Sequence, residues 1–101
     1  MMKLYFQRLN EKGEEVSLAG ELFVDTDNKF TFHFDVPAKG IILADGKSHN
    51  LEKLIGTITS WWMDRDGMYL RVFHNPDETR KGGWISDQFS FRFRTRLSEY
   101  D

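Results

Sequence analysis

The chain has 101 residues, 27 of them Leu, Ile, Val or Phe, which is enough apolar material for one domain with its own core and too little for two. It contains no cysteine, which excludes a disulfide framework, thiolate metal sites and cysteine nucleophiles. Fourteen basic against sixteen acidic residues give a net charge of −2, so the molecule is no polycation.

Near the start, Leu4 and Phe6 alternate with Lys3, Tyr5 and Gln7, a period of two that predicts a strand. Polar residues follow Met1 and Met2 too soon for a secretion signal, and no apolar run is long enough for a membrane helix. The expected setting is the cytoplasm, away from membranes. Asn10 to Gly13 reads as a turn. Val16, Leu18, Leu22 and Val24 continue the period of two, with Gly20 marking a bend or bulge. After a second turn at Asp25 to Asn28, Phe30, Phe32, Phe34 and Val36 share one strand face, opposed by Thr31, His33 and Asp35. Asp45-Gly46 is a hairpin signal.

The next segment carries a different pattern. Leu51, Leu54, Ile55, Ile58 and Trp62 fit a helical stripe, with Ser48 or Asn50 as N-cap, whereas Gly56, Thr57 and Thr59 are poor helix formers. The expectation is a short helix near 49–55, followed by a strand. Beyond the turn at Asp64 to Gly67, Met68, Leu70 and Val72 alternate with Tyr69, Arg71 and Phe73. Asn75-Pro76 ends that strand and opens a polar loop to Gly83, leading to Trp84. Finally Phe89, Phe91, Phe93 and Leu97 lie opposite Ser90, Arg92, Arg94 and Arg96. Together these elements predict a single domain over 1–101 that is mainly β, or α+β if the helix forms. The architecture expected is an antiparallel meander of about six short strands rolled into a small barrel or half-barrel.

No motif points to catalysis or to a cofactor. Gly40 precedes Gly46-Lys47-Ser48 by five intervening residues where a phosphate-binding loop requires four, and those residues are mostly apolar. His33 and Asp35 leave one strand face together, but no spacing brings in a third ligand, so no metal is expected. Asp64 and Asp66 lie in a turn, where solvated carboxylates are poorly suited to acid–base work. Asp25, Asp27 and Asn28 lack the glycine and distal glutamate of a calcium loop and suit a hairpin turn.

Charge is unevenly spread along the chain. Glu11 to Asp27 holds six acids and one base, and Arg65 to Arg96 holds seven bases and four acids. If the phenylalanine faces point inward, the opposite faces present Tyr69, Phe73, Arg71, Arg92, Arg94 and Arg96, joined by Trp61 from the adjacent Trp61-Trp62 pair. Aromatics interleaved with arginine serve two ends: protein–protein contacts, where Trp, Tyr and Arg are enriched, and single-stranded nucleic acid, where rings stack bases and arginines hold phosphates. A net acidic chain favours the first. The functional expectation is therefore a non-catalytic, cofactor-free protein that docks on a protein partner as an accessory or occluding factor. Single-stranded nucleic-acid binding is the alternative. A homodimer through an open sheet edge fits either reading.

Overall fold

The computed structural model describes residues 4–65, 67–76 and 83–93. Six strands follow one another: β1 (Leu4–Leu9), β2 (Glu15–Val24), β3 (Lys29–Ile42), β4 (Ser48–Asp64), β5 (Gly67–His74) and β6 (Ile85–Phe93). Each pairs antiparallel with the next, and β6 returns to β1 through Phe91 opposite Phe6, closing the barrel. Closure removes the sheet edges that a flat meander would leave open.

Side chains of alternate parity fill the barrel. Phe6, Phe30, Phe32, Phe34, Phe89 and Phe91 are buried with Leu4, Leu54, Leu70 and Val72. Phe6 sits at the centre, its ring 5.3–6.0 Å from those of Phe32, Phe34, Phe89 and Phe91. Its pairs with Phe34 and Phe89, and the Phe32–Phe34 pair beside them, meet edge to face, the arrangement the ring quadrupole favours. The interior is thus a packed core. Gly20 does not bulge its strand, as the sequence suggested. It sits in register between Leu4 and Phe34, and a Cβ there would strike the Phe32 ring.

The turns are built by their own polar residues. Asp25 Oδ1 accepts from the amides of Asp27 and Lys29, with Asn28 at φ 59° completing the turn, so these residues form a hairpin and not a cation loop. Asn10 and Asp45 act in the same way at the other end of the barrel. The acidic stretch from Glu11 to Asp27 is therefore divided: Glu11 and Glu14 lie at one end, Asp25 and Asp27 at the other, separated by the ten residues of β2. At about 3.3 Å per residue that separation is roughly 30 Å. The acids do not form one pole.

Two expectations fail for a common reason. Residues 49–55 are strand, part of the 17-residue β4, and no helix occurs among the described residues. Leu51 and Leu54, three apart, are both buried because the β3–β4 register shifts between His33 and Ala38. That irregularity lets residues of opposite parity face inward and produces a spacing that imitates a helix. The same shift hands the inward position to Ala38 and leaves Val36 outside the core, 70% exposed, although it alternates with Phe30, Phe32 and Phe34.

Candidate functional site

The outer aromatic surface is carried by the β4–β5 hairpin, and its geometry depends on one extra residue. Ile58 pairs with Val72, but Ser60 pairs with Arg71, so Thr59 is bulged out of the ladder. Its hydroxyl donates to the Arg71 carbonyl at 3.0 Å. The bulge reverses the parity of everything that follows. Unbroken alternation from Leu54 and Ile58 would set Trp61 outward. Instead Trp62 lies opposite Tyr69 on the outer face, and Trp61 lies opposite the inward-facing Leu70.

Trp62 and Tyr69 stack, with ring centroids 5.6 Å apart and planes within 10° of parallel. The Arg71 guanidinium lies over the Trp62 ring, 5.9 Å from its centroid, at cation–π range. Phe73 stands two residues farther along the same face, 47% exposed. On β6, Ser90 lies opposite Tyr69 and Gln88 opposite Arg71. The exposed Arg92 pairs across to Tyr5 and packs beside Gly67. The stacked pair is therefore flanked by Arg71 on one side and Arg92 on the other. Of the residues expected in the site, the structure brings together Tyr69, Arg71, Phe73 and Arg92, and it places Trp61 on the opposite side of the hairpin. Arg94 and Arg96 lie outside the described residues, as does the greater part of the loop before Gly83. The residue missing from the expected set is Trp62. The sequence offered it only as the neighbour of Trp61 and as the last residue of a helical stripe.

Trp61 and Met63 remain solvent-facing, 64% and 52% exposed, although their parity is that of the core. β4 outruns β3, whose first residue, Lys29, pairs with Thr57. The end of the hairpin thus projects past the barrel, and no opposite wall covers these side chains among the described residues.

A second, polar cluster lies at the other end of the barrel. The buried Asp87 carboxylate accepts the amides of Ala44 (3.0 Å) and Gln88 (2.7 Å) and forms an ion pair with Arg8. Arg8 also lies over the Phe89 ring at 5.0 Å. His74 is fully buried, with Nε2 4.0 Å from Asp87, and neither ring nitrogen has a hydrogen-bond partner among the described residues. Burial drives its pKa down to about 4; Asp87 opposes the shift and Arg8 adds to it, so the ring is neutral at pH 7. Burial of Asp45 would raise its pKa, but the Lys47 amide and His49, 2.9 Å away, outweigh that and hold the carboxyl below its ordinary value. An open depression of about 420 Å³ adjoins this cluster, lined by Arg8, Glu15, Leu43 and Asp87 among others. Among the described residues no three His, Asp or Glu side chains converge as metal ligands.

Comparison with known protein families finds no matching family model, and comparisons with curated proteins and with solved structures find no significant match. Function must be argued from the site itself.

Proposed function

We propose that the chain is a binding protein that docks on a protein partner through the outer face of the β4–β5 hairpin and β6, as an accessory or occluding factor. The observation that carries the reading is the Tyr69–Trp62 stack with Arg71 over the indole. A stacked Trp and Tyr form a rigid, amphipathic contact surface that loses little side-chain entropy on binding. Arg71 and Arg92 add donors suited to carboxylates on a partner. The same stack weighs against base recognition, because Tyr69 already covers one face of the indole and leaves a nucleobase only the other. The net charge of −2 weighs in the same direction.

The test compares the full chain with the Arg71→Glu/Arg92→Glu variant as bait for cellular proteins. The reading predicts a partner retained by the wild type and lost by the variant, with the thermal midpoint unchanged. Titration of the wild type with a mixed-sequence single-stranded oligonucleotide should leave tryptophan emission flat at low salt. Tight, salt-sensitive quenching would instead put nucleic acid in the partner's place.

A further inference from the structure

Among the described residues Thr59 to Met63 have a strand neighbour on one side only, as do residues 15–19 of β2 and 48–54 of β4, but those two stretches carry charged side chains and this one carries none. The Asn28 carbonyl accepts the Ile58 amide at 2.7 Å, and beyond that point, among the described residues, β4 pairs with β5 alone. The far side of this stretch presents backbone groups to any strand that comes alongside. Natural edges are commonly blunted by lysine, proline or an inward charge. The run Thr59-Ser60-Trp61-Trp62-Met63 has none of these. The exposed Trp61 and Met63 lie on the same stretch.

We propose that this edge is a dimerisation strand, on which a second copy of the chain pairs β4 against β4, antiparallel about a two-fold axis. Symmetry limits the registers. Directly opposite residues share a sheet face, and a two-fold axis perpendicular to the sheet sets one residue opposite its own copy. Centred on Trp61, the pairing sets Ser60 against Trp62 and Thr59 against Met63, polar against apolar. Centred on Met63, it sets Trp62 against Asp64. Centred on Trp62, it sets Trp62 against its own copy, Trp61 against Met63 and Ser60 against Asp64. Only the last register matches apolar with apolar on both faces and places no carboxylate against an indole. It also extends the outer-face stack into one row, Tyr69–Trp62–Trp62–Tyr69, across the joined sheets.

A short edge with two tryptophans and one methionine buries less than the roughly 800 Å² per partner of a standard interface, so the dimer is reversible. The inference does not depend on the outer face having another partner.

Sedimentation equilibrium of the full chain from about 1 to about 500 µM tests it. The expected result is a mass rising from 11.9 kDa toward twice that value. Trp61→Lys/Met63→Lys should stay monomeric with an unchanged thermal midpoint. Because the chain has no cysteine, register can be read by oxidation. An equimolar mixture of the single variants Ser60→Cys and Asp64→Cys should cross-link several-fold faster than either alone. A wild type that stays monomeric throughout overturns the proposal. Cross-linking of each single variant as fast as the mixture overturns the register.

Discussion

The barrel body and the projecting end of the β4–β5 hairpin carry the same alternating pattern, yet they dispose of it in opposite ways. In the body, side chains of inward parity meet a facing wall: the Phe6 ring has four phenylalanine neighbours and no exposure. In the extension, Trp61 and Met63 have the parity of Leu70 and Met68 but meet no wall among the described residues, because β3 begins only at Lys29. Burial is therefore set by what lies across from a residue, and strand periodicity supplies only its direction. The body is built for stability. The extension leaves its apolar side chains exposed, as the contact surface proposed above requires.

The comparison breaks most sharply under truncation of the core. Phe6→Ala removes the ring at the centre of the barrel and should cost about 3–5 kcal/mol, measured by urea unfolding. A loss below about 1 kcal/mol would mean that the phenylalanine cluster is loosely packed.

The polar end of the body gives a pH signature that the extension lacks. His74 takes up its proton only near pH 4 in the folded protein, while in the unfolded chain it does so near 6.5. The unfolded state therefore binds more protons between these values, so stability is complete above pH 6.5 and falls as pH drops toward 4. The total from this group is on the order of 3 kcal/mol. His74→Phe should flatten the stability profile between pH 6.5 and 5, and an unchanged slope would show that His74 is accessible to protons in the native state.

A smaller effect sharpens the description of the outer face. A double-mutant cycle of Trp62→Ala and Tyr69→Ala should give a coupling of about 1 kcal/mol, as a stacked pair requires. Additive losses would show that the two rings are not stacked in solution.

Much of this was legible in the sequence. The alternation of Phe30, Phe32 and Phe34, of Leu70 and Val72, and of Phe89 and Phe91 specified strands and their buried faces, and the Asx-rich turns at Asn10, Asp25 and Asp45 marked the hairpins. What escaped were the places where a register shifts. The irregularity after His33 turned Val36 outward and gave Leu51 and Leu54 a helical spacing within a strand. The bulge at Thr59 exchanged Trp61 for Trp62 on the outer face. The first irregularity spans Pro37, a residue that strands admit mainly at edges and bulges. The bulge at Thr59 has no local signature, because a bulge depends on the neighbouring strand as much as on its own residues. The Arg8–Asp87–His74 cluster was illegible for a related reason: its members come from β1, β5 and β6 and meet only when the barrel closes.

The central claim is that the extension contributes contact surface and not folding energy. Urea unfolding of Trp61→Ser/Met63→Ser beside the wild type, at a concentration low enough to keep both monomeric, tests this most directly. The account predicts unfolding free energies within about 0.5 kcal/mol of each other, the range of ordinary surface substitutions. A loss of about 2 kcal/mol or more, the signature of a vacated core position, would contradict it.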